Sequence, residues 1–290
     1  MSPLASPGLP APVLLTFLAT VVVPGNAGAQ ATDTARYREV TESRVVVETP
    51  GETVTFQSVH DALLTVRFVT SDSLEAWYEA LAVISRGPEG EAAPGTEAFL
   101  GERFVLRYGG DGRLETLHTP AFTEAVSRIT DLRFQFEDFF PHRPARALDV
   151  GVTWADTAVT ALEDEGRETR MERVSDYRVV ADTLVEGEAH LVLHATARIA
   201  VEGAGPMAEE PRVTVSTRME GVEENVFLVR RSDGRMWSRT RTGELEGSMA
   251  YLGMRAPVEF PMRRSYVNRI TRRRRPPGEP LPGRGGAGGA

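Results

Sequence analysis

His190 and His194 sit four residues apart, the spacing at which two imidazoles on a helix converge on one metal ion. They fall within AHLVLHATARIAV (189–201). Its odd positions, Ala189 through Val201, are apolar, and its even positions include His190, His194, Thr196 and Arg198. Alternation of period two marks a strand. At about 3.3 Å per residue it holds the two rings about 13 Å apart, too far to share an ion. Neither a metal nor a cofactor is therefore expected. Trp237, Arg239 and Arg241 share the parity of a second strand. Such a face either binds and stacks on an anionic group or is an outer sheet face of Arg packed on Trp. With Phe136 and Phe140, these three are the candidate ligand-binding residues. Glu137 and Asp138 are adjacent in sequence, unlike the facing carboxylates of a glycosidase, and read as a solvated surface. Glu163-Asp164-Glu165 lacks the glycine and alternating acceptors of a calcium loop and reads as a solvated turn.

Several chemistries are closed to the chain. It contains no cysteine, which removes disulfides, thiol nucleophiles and thiolate metal sites. All 33 of its Lys+Arg residues are arginine, so Schiff-base and phosphate-loop lysines are absent. No G-x-S-x-G, H-E-x-x-H or G-x-G-x-x-G motif stands in a suitable context. No catalytic residue is assigned and a non-enzymatic role is expected, with an exported hydrolase using scattered carboxylates as the lesser alternative.

The elements that would position these residues are mostly strands. Val258, Phe260, Met262, Tyr266 and Ile270 form one alternating row, and Phe104, Leu106 and Tyr108 another. Turn signals separate such runs at hairpin spacing: Gly109–Gly112, Glu186-Gly187 and Ser232-Asp233-Gly234. The pattern predicts an antiparallel meander. Ser73–Ser85 fits both periods and is assigned as a strand, because its neighbours are strand-like and Gly87-Pro88 closes it. One long helix is expected. Thr119-Pro120 would start it, Phe122, Val126, Ile129, Leu132, Phe136 and Phe140 recur at helical spacing, and Pro141 ends it. Residues 88–96 and 203–211 read as loops. A hairpin closed by Asp-Gly recurs in each half (104–117 and 226–240), which suggests two pseudo-repeated halves or ordinary meander statistics.

The first 31 residues carry an apolar core, Ala11–Val23, that is short for a bilayer span. A Pro-Gly-Asn break and small residues at signal-peptidase spacing follow. They read as an export signal, although no Lys or Arg precedes the core. The alternative is a buried N-terminal element. Residues 32–271 would then form one β-rich domain, and 272–290 a disordered Gly/Pro-rich tail. The formal charge of −8 is uneven: residues 263–290 hold eight Arg and one Glu, or +7, leaving −15 for the remainder. An acidic body with a basic tail argues against nucleic acid as a partner. Arg272–Arg275 could instead touch an anionic membrane surface or simply solubilise the tail.

The stretch GERFVLRYGGDGR, an amphipathic segment ending EDFFPHRP, and LDVGVTWADT together span 101–157. This layout resembles exported β-rich proteins of GC-rich bacteria whose last element reads Gly-Asp-x-Trp. Here Gly151 and Trp154 match, and Val152 replaces the acidic residue. At the level of architecture, 36–271 is similar to periplasmic lipoprotein-carrier (LolA-like) folds, in which a curved antiparallel sheet closed by helices surrounds an apolar cavity. That similarity implies a lipid or lipoprotein as partner and transfers no binding residue. The expected fold is mainly β: a curved antiparallel sheet or incomplete barrel of about ten or more strands with one long helix packed on it. The expected function is an exported envelope protein holding a lipophilic or acyl-bearing ligand, or a periplasmic structural or interaction module with a filled core.

Overall fold

The computed structural model describes residues 33–121, 136–142, 144, 147–164, 166–207, 210–253 and 257–273. Among the described residues, twelve strands form one antiparallel sheet. They are β1 (Asp33–Thr49), β2 (Glu52–Phe68), β3 (Ser73–Gly87), β4 (Gly90–Ala92), β5 (Phe104–Tyr108), β6 (Leu114–His118), β7 (Thr153–Asp164), β8 (Arg167–Val185), β9 (Glu188–Pro206), β10 (Thr214–Arg230), β11 (Met236–Leu252) and β12 (Val258–Arg273). The order is β6-β5-β3-β2-β1-β12-β11-β10-β9-β8-β7, with β4 on β3. Thus the first and last strands pair in the middle, and the two edges, β6 and β7, are consecutive in the chain. This is an up-and-down meander left unzipped between β6 and β7.

Local sequence explains the turns. Glu186 (φ 53°) and Gly187 (φ 83°) form the two-residue connection of β8 to β9, with both residues in the left-handed region such hairpins require. The Asp-Gly turns close β5–β6 and β10–β11 where the sequence places them.

The sheet is strongly curled. Laid flat, its eleven-strand path would be about 48 Å wide at ~4.8 Å per strand. Yet Arg113, just before β6, donates from Nε to Asp156 Oδ1 of β7 at 2.8 Å. One apolar cluster also takes Leu114 from β6, Leu106 from β5, Tyr37 from β1, Ile270 from β12, Phe227 from β10 and Val179 from β8. The described strands, 33–273, thus form an incomplete barrel whose edges are bridged by side chains.

Among the described residues the only helical segment is a 3₁₀ turn, Glu97–Phe99. Most of the long helix expected over 119–141 lies outside the described residues. Its described end, 136–140, is a turn with Phe139 N–H donating to Phe136 O at 3.1 Å. Its rings enter the barrel and do not lie as a stripe across the outside. β12 continues through Arg273, so Arg272 and Arg273 belong to the sheet, opposite Tyr37 and Arg36; residues 274–290 lie outside the described part. Likewise β9 runs to Pro206, taking 203–206 out of the expected loop.

Candidate ligand site inside the barrel

Register fixes what faces the interior. One inward row crosses eight strands as His60, Thr41, Asn268, Arg241, Asn225, Ala195, Tyr177 and Trp154. The next row is Ser58, Ser43, Tyr266, Gly243, Glu223, Ala197, Ser175 and Asp156. On one side of this polar belt lies the large apolar cluster around Tyr37, Leu64, Leu193 and Phe227. On the other lies a smaller one of Val47, Ala197, Ile199, Met219, Leu245 and Met262, with Met171 and Met249 against it. Arg239 reaches the belt from the apolar row on one side and Arg173 from the row on the other.

The belt mixes small residues (Ser43, Ser58, Ser175, Ala195, Ala197 and Gly243) with polar and aromatic ones, and two devices fill the space over the small positions. The first is Tyr266. Its ring lies over Gly243, where a Cβ would collide with it, and its hydroxyl donates to Glu223 on the strand beyond. The second is the segment 136–140. Phe136, Phe139 and Phe140 are buried against Tyr37, Tyr78 and Phe104, with Phe104–Phe136 ring centroids 4.7 Å apart and Tyr37–Phe139 5.4 Å.

Three guanidiniums grip this segment. Arg239 donates from Nη1 to the carbonyls of Asp138 and Phe139, the latter at 3.3 Å. Arg241 Nη2 donates to Asp138 O at 3.2 Å. Arg173 Nη1 pairs with the Asp138 carboxylate, and Arg241 Nη1 lies 3.9 Å from it. Glu223 completes the arrangement, 3.3 Å from Arg241 Nε and 3.4 Å from Arg173 Nη2. Asn225 Nδ2 donates to Glu223 Oε1 at 2.7 Å and accepts at Oδ1 from Arg241 Nε at 3.0 Å. On the far side Asn268 accepts from Arg239 and donates to Glu39 Oε1, both at 2.6 Å.

Burial alone would raise the Glu223 pKa. The Arg241 and Arg173 charges and the Tyr266 and Asn225 hydrogen bonds overcome it and lower the value to about 2. Burial and the neighbouring Arg241 depress Arg173, and depress Arg239 further. The Nε atoms of Arg173 and Arg239 are buried without a hydrogen-bond partner among the described residues.

Arg239, Arg241, Phe136 and Phe140 are therefore brought together. Trp237 is not. A bulge pairs Leu228 with Ser238 and Val229 with Met236, leaving Trp237 as the extra residue. Met236 takes the buried inward position. Trp237 instead meets His190 edge-on, centroids 5.5 Å apart, and lies under Arg272. His194 sits further along β9, its Nε2 2.9 Å from Glu224 Oε2. Asp138, read from sequence as solvated, is the anion of the site. Arg173, Glu223, Tyr266, Asn225 and Asn268 were not signalled individually. Parity with Met219, Phe227 and Val229 on β10, with Met262 and Ile270 on β12, and for Arg173 with Val179 on β8, is the pattern that places them inside.

Where β6 and β7 part, a polar cleft of about 220 Å³ opens, lined by Arg113, Glu137, Asp138, His142, Asp156 and Tyr177 among others. His142 Nδ1 lies 3.6 Å from Asp156, and burial raises the Glu137 pKa. A smaller pocket of about 120 Å³ lies beside Pro141, Leu148, Leu193 and Val229. No cluster of three or more His, Asp or Glu suited to a metal occurs among the described residues.

No protein-family model matches the chain, and no curated protein does. Among solved structures, OmpT, an outer-membrane protein of Vibrio cholerae in its trimer form, aligns over 83% of this chain and 99% of its own. The identity is 8% and the TM-score 0.14. At that score the backbone paths do not correspond, and nothing is carried over from it.

Proposed function

We propose that the protein is an exported, non-enzymatic cell-envelope protein that takes a lipophilic, acyl-bearing molecule into the barrel, in the space held here by residues 136–140. The observation that carries this reading is how the interior is filled. The wall presents Ser, Ala or Gly at several of its mid-height positions, and rings from a segment between two unpaired edge strands supply the volume there. Withdrawing that segment breaks no ladder hydrogen bond.

The open spaces, about 220 and 120 Å³, are smaller than the ~300–1,000 Å³ of ordinary ligand sites, so a ligand must displace the rings. Losing their burial costs roughly 1.5–3 kcal/mol per ring, which an apolar ligand would restore. Met171, Met219, Met249 and Met262, half of the chain's 8 methionines, line the second cluster and suit a space of variable shape. The resemblance to lipoprotein-carrier folds points the same way.

The alternative, a structural or interaction module, is favoured by the charge match of Arg173, Arg239 and Arg241 with Glu39, Glu223 and Asp138. Native mass spectrometry of gently extracted protein, followed by titration of the delipidated chain with the fluorescent lipophile N-phenylnaphthylamine, separates the two. Adduct mass and saturable fluorescence support the carrier; a clean mass without uptake leaves the filled module.

A further inference from the structure

The arginine belt has more positive charge than its own wall neutralises. Arg173, Arg239 and Arg241 face two wall carboxylates, Glu39 and Glu223; the third anion, Asp138, belongs to the inserted segment. With the segment seated, Arg239 is 2% and Arg173 8% exposed, so within the closed barrel the Asp138 carboxylate is not replaced by solvent. Removing Asp138 leaves one guanidinium charge uncompensated in a buried site, a strongly unfavourable state. The donors are also preorganised. Arg239 is held by Asn268, Arg241 by Asn225 and Glu223, and Arg173 by Glu223.

We propose that Arg173, Arg239 and Arg241 form a headgroup site for a single-chain amphiphile bearing one carboxylate, which takes the place of the Asp138 carboxylate while its chain replaces Phe136, Phe139 and Phe140. This rests on the carrier reading and specifies its ligand. The deficit is one charge, so a monoanion balances the belt; a dianionic phosphate monoester overshoots, and a neutral headgroup leaves the guanidinium unpaired. Charge-assisted bonds from a guanidinium fork to a carboxylate supply the recognition. Asp138 therefore acts as an internal competitor for the ligand's headgroup.

The full chain, delipidated, is titrated by calorimetry with palmitate, hexadecanol and a lysophosphatidic acid of matched chain length. Palmitate is expected to bind at least about 100-fold more tightly than hexadecanol, and more tightly than the phosphate. Asp138→Asn keeps the shape of the segment and removes the competing charge. It should tighten palmitate by about tenfold or more, and hexadecanol by a similar factor, because the guanidinium that hexadecanol leaves unpaired in the wild type is then unpaired before binding. Arg241→Met should abolish the preference; if that variant does not fold, Asp138→Asn still decides. Equal affinity for palmitate and hexadecanol, or no effect of Asp138→Asn on palmitate, overturns the headgroup site and leaves the carrier reading standing. A preference for the phosphate overturns the choice of carboxylate. Binding of none of the three overturns the carrier reading, and this proposal with it.

Discussion

His60 and Glu223 face the same belt and both make the fold acid-sensitive, in separate pH windows. Burial and the nearby Arg264 charge lower the His60 pKa from 6.5 to about 4. Between those values the unfolded chain holds a proton that the folded chain refuses, so stability falls as pH drops through the window. The full effect is about 3 kcal/mol at 1.36 kcal/mol per unit. Glu223 acts lower. Its folded value of about 2 lies beneath the ordinary 4.5, so the stability it contributes is complete above pH 4.5 and is lost as pH falls toward 2. Urea unfolding at stepped pH should show two overlapping declines. His60→Gln should flatten the segment between pH 6.5 and 4.5 and spare the lower one. A slope in that segment equal to the wild type's would show that another group carries it.

At the scale of elements, the sequence revealed the meander well and its irregularities poorly. Hairpins were legible because Asp-Gly and Glu-Gly pairs sit between alternating runs. Ser73–Ser85 looked partly helical because of a bulge. Leu63 pairs with Ala80 and Leu64 with Tyr78, so Glu79 is extra and the inward set becomes Leu74, Ala76, Tyr78, Leu81 and Val83, with Trp77 buried separately under Arg103. A change of parity within a strand mimics a helical stripe. The bulge at Trp237 misled in the opposite way, since strict alternation joined Trp237 to Arg239. Phe136 and Phe140 are apolar at helical spacing, yet the end of that segment turns into the barrel; periodicity reports burial without naming the surface buried against. Arg173, Glu39 and Glu223 were missed because charge in a strand normally signals solvent.

The role of Gly243 is tertiary and left no signal in the sequence. Gly243→Ala puts a methyl group into the Tyr266 ring, which forces the hydroxyl off Glu223. The expected loss is about 1–3 kcal/mol, the usual range for overpacking, read as a lower urea midpoint. Tyr266→Phe should lessen the added penalty, since the bond to Glu223 is then already absent. Additive losses would place the cost elsewhere.

For the whole molecule, the outward face decides the medium. Glu42, Arg44, Asp176, Arg178, Arg198, Glu244, Arg263 and Arg269 all lie exposed within strands, away from the turns. On a lipid-facing wall, each Arg near the midplane would cost about 2–4 kcal/mol. The buried apolar side chains point the other way, into the two interior clusters, while Phe56, Val159, Val180, Val222 and Val226 are scattered singly among the exposed charges. No helix among the described residues is long and apolar enough to cross a membrane. The barrel wall thus carries its charged rows outward and two apolar clusters, parted by the polar belt, inward, and the Arg113–Asp156 bridge closes it by side chains where an integral barrel needs a continuous ladder. Refolding follows from that arrangement. Diluted from urea into buffer without lipid or detergent, the chain should regain its β-sheet circular dichroism and a single cooperative thermal transition. Adding dodecylmaltoside micelles should not raise the yield. Aggregation in buffer with recovery only in micelles would mean that the exposed charges are covered in the working molecule, and that the inside–outside assignment drawn from the strand register is wrong.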